Sequence, residues 1–194
     1  FSVIGRRSGD WVSRALPLGV KLVQLRIKDA PQDTVREEIS RTLSICEAAG
    51  AQLVVNDHWQ LAIELGAPWL HLGQEDLDTA NLPAIRRAGL RLGISTHDHA
   101  ELDRALSLSP DYIALGPVYP TILKKMKWTE QGLDRVTEWK ARIGDTPLCA
   151  IGGMTPERVA GAFAAGADTV AAVTAITLNP APEARMREWL EVCA

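Results

Sequence analysis

The chain has 194 residues and a mass of 21.1 kDa, enough for one domain and a poor fit to two. Apolar residues at 46% and charged residues at 23% match an ordinary packed protein, and no apolar run approaches the ~20 residues that cross a bilayer. A net charge of −3 and a pI of about 5.8 give no global field for nucleic acid or anionic lipid, so phosphate must be met by a local basic cluster.

Eight β-type runs recur along the chain: Phe1–Gly5, Lys21–Ile27, Gln52–Asn56, Trp69–Gly73, Arg91–Thr96, Tyr112–Pro117, Pro147–Gly153 and Thr169–Val173. A stretch able to hold a helix separates each from the next. Thr34 to Ala49 places Val35, Ile39, Leu43 and Ala49 broadly on one side, with Arg36, Glu37 and Glu38 largely opposite. Gly50, Gly66, Gly89 and Gly166 are expected to end helices in the left-handed conformation just before the next strand. Such alternation implies a parallel sheet with helical crossovers, and eight units predict a single (β/α)8 TIM barrel spanning 1–194. A doubly wound open sheet is the runner-up, but no GxGxxG follows the first strand. Cys46, Cys149 and Cys193 are odd in number and far apart, and Phe1 to Asp10 lacks the layout of a secretion signal. Structural thiols in a cytoplasmic protein are the expectation.

In a barrel the active site lies where the strands end. The second run reads Gln24-Leu25-Arg26-Ile27-Lys28-Asp29, so period-two alternation puts Gln24, Arg26 and Lys28 on one face. Two cations facing inward need an anion or an internal ion pair. The third run ends Asn56-Asp57 and the fourth ends His71-Leu72-Gly73-Gln74-Glu75-Asp76. Neighbouring strands would bring Asp57 and Asp76 together, which suits Mg²⁺, an ion that takes hard oxygen ligands and shares substrate phosphates. Asp57 serves equally as an N-cap for the helix beginning near His58. His97 and His99 lack partners at the spacing a Zn²⁺ site needs, and His71 and His97 read as structural residues. With Arg26 and Lys28 alongside, the carboxylate pair reads as a cradle for metal and diphosphate.

The fifth run ends Ser95-Thr96-His97, offering hydroxyls to a ligand or to the start of a helix. After the sixth comes Gly116-Pro117-Val118-Tyr119-Pro120-Thr121, then Lys124, Lys125 and Lys127, in a long loop suited to a lid with a lysine on phosphate. A solvated lysine run is the alternative. Gly152 and Gly153 close the seventh run and let backbone approach a ligand, or merely allow a tight turn. With Val173 and Thr174 after the eighth, they form the place where this architecture habitually holds phosphate.

These motifs, in this order from about Val20 to Ile176, resemble the thiamine phosphate synthase (thiamine-phosphate pyrophosphorylase) family. The resemblance implies a transferase that couples hydroxymethylpyrimidine diphosphate to thiazole phosphate and releases diphosphate by a dissociative, Mg²⁺-assisted substitution. It assigns Gln24, Arg26, Lys28, Asn56, Ser95 and Lys124 to the pyrimidine diphosphate, and Asp57 and Asp76 to Mg²⁺. Thr121, Gly153, Val173 and Thr174 go to the thiazole phosphate. The partners expected are these small molecules, with no nucleic acid and no membrane; a homo-oligomer is compatible. Departures are Leu123, where the family has a hydroxyl, Thr174-Ala175-Ile176 in place of Ser-Ala-Ile, and an altered Lys125–Gln131 segment. Phe1-Ser2-Val3-Ile4 also lacks the polar ending common in the first strand. Leu123 motivates one alternative, a thiazole tautomerase-like isomerase with His97 as proton shuttle. The other is a non-catalytic thiamine phosphate-binding protein. The presence of Asp57, Asp76 and Lys124 together favours the synthase.

Overall fold

The computed structural model describes residues 8–121 and 129–194. Seven parallel strands alternate with helices: α1 (Ser8–Ala15), β1 (Leu22–Leu25), α2 (Gln32–Ala48), β2 (Gln52–Asn56), α3 (Trp59–Glu64), β3 (Trp69–Leu72), α4 (Leu82–Arg87), β4 (Arg91–Thr96), α5 (His99–Ser107), β5 (Tyr112–Leu115), α6 (Gly132–Ile143), β6 (Leu148–Ile151), α7 (Pro156–Ala164), β7 (Thr169–Ala171), α8 (Thr174–Thr177) and α9 (Pro182–Val192). This is an α/β fold in which seven of the eight expected strands are present. The remaining one, the amino-terminal Phe1–Gly5, lies outside the described residues, which show seven parallel strands.

The chain divides into two compact units, Phe1–Leu92 and Gly93–Ala194. In the first, β1 pairs in parallel with β2 and β2 with β3, in the register Leu25↔Val55 and Asn56↔His71. Val23, Leu25, Leu53, Val55, Leu70 and Leu72 of the strands are buried, as are Val35, Ile39 and Cys46 of α2, Leu61 of α3 and Ile85 of α4. Each large apolar side chain withdrawn from water in this way contributes roughly 1.5–3 kcal/mol. In the second unit β4, β5, β6 and β7 pair in sequence. The core there includes Ile94, Ile113, Leu115, Leu148, Val136, Trp139 and Val159. Gly50, Gly66, Gly89 and Gly166 all have positive φ and stand just past α2, α3, α4 and α7, as their spacing predicts.

Several strands end earlier than their composition suggests. β1 stops at Leu25, and two residues beyond it Ile27 O meets the His58 ring (Nε2 at 2.9 Å). β7 stops at Ala171, since Val173 leaves strand geometry (φ −128°, ψ −79°) to open α8. Among the described residues no helix is long and apolar enough to cross a membrane. Cys46 and Cys149 are buried free thiols, the latter pushed up to about 12 by burial, and Cys193 is an exposed free thiol.

Candidate active site

The first unit gathers a charged cluster at the carboxyl ends of its strands. Arg26 and Lys28 stand on the segment just beyond β1, not within the strand as the alternation suggested. Lys28 Nζ meets Asp57 Oδ2 in an ion pair, with Lys28 half exposed and Asp57 largely buried. Asp57 follows the last residue of β2 and has φ +68°, a left-handed backbone that only glycine adopts readily. Two tight turns hold it there: His58 N–H donates to Asn56 O at 2.9 Å and Trp59 N–H to Asp57 O at 2.8 Å. The Asp57 N–H donates to His71 O at 2.9 Å, tying the turn to β3. The N-cap role open to Asp57 is not taken: His58 is the residue capping α3, without a side-chain hydrogen bond.

Asp76 reaches the same place from the loop after β3. Its Oδ2 accepts from Gly73 N–H at 3.1 Å, and a Cβ on Gly73 would sit 2.9 Å from that oxygen and displace the carboxylate from this position. Burial raises the Asp76 carboxyl above its usual range, and the charge of Asp57 and a hydrogen bond with it push the same way; the Gly73 amide and Lys28 oppose. With the charge of Asp57 disfavouring ionisation of Asp76, the pair forms a donor set short of positive charge. Among the described residues no three His, Cys, Asp or Glu side chains group to hold a metal ion. Two hard oxygen donors with room for water and phosphate fit Mg²⁺, which binds through one or two carboxylates, and fit an enclosed cage for another metal poorly.

Gln24 is half-buried on β1, and Asn56 is buried at the end of β2. His71, opposite Asn56 in the register, is buried, and its pKa is lowered to about 4. Burial is the main cause, the Arg26 charge adds to it, and Asp57 opposes it. Sequence reasoning left His71 and His58 without a role here. The His58 ring meets a main-chain carbonyl, Ile27 O at 2.9 Å, a contact that residue type does not announce.

The second unit builds a different surface. Gly152 (φ +90°) and Gly153 (φ +63°) end β6 in left-handed conformations. A Cβ on Gly153 would lie 2.4 Å from Pro120 O, and one on Gly152 2.6 Å from Pro117 Cα. The loop after β5 is stitched to this turn by Val118 N–H to Ile151 O at 2.9 Å and Tyr119 N–H to Gly152 O at 3.0 Å. A small cleft of about 50 Å³ results, bounded by Thr121, Gly152, Gly153, Val173 and Thr174. Thr174 opens α8, where the first amides of a helix lack partners within it. Thus all five residues expected at the second phosphate border one space.

Ser95 is half-buried near the end of β4. Thr96, also considered as a ligand, is instead structural: its hydroxyl donates to Ala114 O at 3.1 Å and accepts from Trp139 Nε1 at 2.8 Å. His97 has a partner after all, Glu101, whose Oε2 lies 2.7 Å from both His97 Nδ1 and the His97 amide. Asp98 caps α5 by accepting from Glu101 N–H at 2.9 Å. The helix-start signal was therefore Asp98 with Glu101, two positions beyond Thr96. Lys124, Leu123 and Trp128 lie outside the described residues.

The family model described as thiamine monophosphate synthase matches residues 2–176. The chain belongs to the thiamine monophosphate synthase family. A thiamine-phosphate synthase of Rhizobium etli is 59% identical over 187 residues, covering 96% of this chain and 92% of that protein. One from Neisseria meningitidis serogroup A is 49% identical over 182 residues, covering 94% and 89%. Among solved structures, a thiamine phosphate pyrophosphorylase from Pyrococcus furiosus superposes with a TM-score of 0.85 at 24% identity, covering 96% of this chain and 89% of that one. That last likeness concerns the fold.

Proposed function

We propose that this chain is a thiamine-phosphate synthase, a transferase joining hydroxymethylpyrimidine diphosphate to thiazole phosphate with release of diphosphate. The observation that carries the reading is the meeting of Lys28, Asp57 and Asp76, with Arg26 beside His71, in a member of this family. A single-domain (β/α)8 barrel over 1–194 is part of the proposal.

In this reading Gln24, Asn56 and Ser95 orient the pyrimidine diphosphate, and Arg26, Lys28 and Lys124 bind its phosphates. Negative charge grows on the leaving diphosphate as the C–O bond breaks. The three cations therefore stabilise the transition state more than the ground state, which is what raises turnover. Mg²⁺, held by Asp57 and Asp76, would add charge neutralisation at the diphosphate oxygens. The thiazole phosphate is held by Thr121 and Thr174 and by the backbone at Gly152, Gly153 and Val173, which positions the thiazole nitrogen to capture the pyrimidine methyl cation. No side chain has to accept a proton for this to proceed. Burial lowers the His71 pKa to about 4 and so makes it a weak base, which agrees with that.

Incubation of the purified protein with both substrates and Mg²⁺ tests the proposal, with the product identified by chromatography. Thiamine phosphate should form, and Asp76→Ala should lower turnover on the order of 10²-fold or more, as loss of a charge-stabilising group does. Isomerised thiazole phosphate without coupling would point to the tautomerase-like alternative, and an unchanged rate in Asp76→Ala would remove the assigned role.

A further inference from the structure

Arg158 lies in the first turn of α7, outside every set of residues assigned above. Its guanidinium does two things at once. One nitrogen, Nη1, donates to Gly153 O, and the guanidinium carbon lies 4.3 Å from the centre of the Tyr119 ring. The geometry at Gly153 makes the first contact consequential. The peptide plane before Gly153 is fixed because Gly152 O accepts from Tyr119 N–H at 3.0 Å. In a trans peptide the N–H points opposite to the C=O, so the Gly153 amide is aimed away from the Tyr119 main chain. The plane after Gly153 is fixed by Arg158. Gly153 has no side chain and sits at φ +63°, so without these two partners its backbone is the freest part of the cleft wall.

The second contact reaches the loop that carries Thr121. Tyr119 is followed by Pro120, whose carbonyl crowds Gly153, and by Thr121, which lines the cleft. A planar guanidinium can donate in its plane and stack on a ring with its face, which an ammonium does less well. We propose that Arg158 is a positioning residue for the phosphate of the thiazole substrate. By clamping Gly153 on one side and Tyr119 on the other, it holds the Gly153 backbone and Thr121 at the separation the phosphate needs. This rests on the assignment of the cleft to that phosphate.

The test uses the intact protein with Arg158→Met and Arg158→Lys. Calorimetric titration with thiamine phosphate reads the cleft directly, and steady-state kinetics read each substrate in turn. Arg158→Met should weaken thiamine phosphate binding roughly tenfold, about the loss of one charge-assisted hydrogen bond, and raise the KM for thiazole phosphate equally. The KM for pyrimidine diphosphate and kcat at saturation should stay within about twofold, and Arg158→Lys should recover only part of the affinity, since an ammonium still donates to Gly153 O but stacks less well on Tyr119. Unchanged binding in Arg158→Met would overturn the proposal. So would equal losses toward both substrates that follow a fall in melting temperature and are not relieved by Arg158→Lys. A wild-type protein with no affinity for thiamine phosphate would instead overturn the assignment of the cleft, and this role with it.

Discussion

Asp57 shows how a single residue can carry both strain and function. A non-glycine residue at φ +68° costs on the order of 1–3 kcal/mol, and the surrounding turns and the amide bond to His71 O hold it in place. Its carboxylate thereby faces Lys28 and Asp76 and not the start of α3. Beneath it, His71 gives a sharp test. Its pKa in the fold is about 4, against an ordinary 6.5, so between those pH values the unfolded chain binds the extra proton and the folded chain does not. Stability should therefore rise with pH across that window, with the penalty absent above about 6.5 and complete below about 4. The full span corresponds to about 3 kcal/mol. Urea unfolding at pH 4.5 and pH 7 should show a lower midpoint at the acid end, and His71→Asn should flatten that part of the dependence. The same slope in His71→Asn as in wild type would mean the imidazole is not held neutral by burial.

At the scale of elements, the strands and their order were legible because most are short Val/Ile/Leu runs preceded by a left-handed glycine that ends the helix before them. β2 and β4 have the bounds their composition predicts. The ends of β1 and β7 were not legible: beyond β1 a carbonyl meets a partner remote in sequence, and beyond β7 Val173 turns out of strand geometry to open α8. Ile27 O takes the ring of His58, 31 residues away. The junction of β4 with α6 is a second such case. Trp139 is fully buried, and its Nε1 donates to Thr96 Oγ1, which itself donates to Ala114 O on β5. Composition offered Thr96 as a ligand because a hydroxyl at a strand end looks available; the indole that occupies it comes from 43 positions on. Trp139→Phe keeps an aromatic ring but removes the donor and leaves a buried hydroxyl short of a partner. It should destabilise the protein by about 1–3 kcal/mol in urea unfolding. An unchanged midpoint would show that the hydrogen bond contributes nothing net.

For the whole molecule, a net charge of −3 and two phosphate-bearing substrates are reconciled by placement. Lys28 and Arg26 sit at strand ends among carboxylates, and the Gly152–Gly153 cleft presents backbone. The charged half of this arrangement could be read from sequence because parallel strands in register bring their last residues side by side: Asn56 lies opposite His71, so Asp57 and the loop carrying Asp76 follow together. What could not be read were the residues that work through main-chain atoms, His58 on Ile27 O and Arg158 on Gly153 O, since any residue offers a carbonyl. The family match over residues 2–176 spans both sets. The most direct test of the account is diphosphate release in the presence of Mg²⁺, measured with the pyrimidine diphosphate, the thiazole phosphate and the metal omitted in turn. Rapid release should require all three. Release at the full rate without thiazole phosphate or without Mg²⁺, or none with everything supplied, would contradict it.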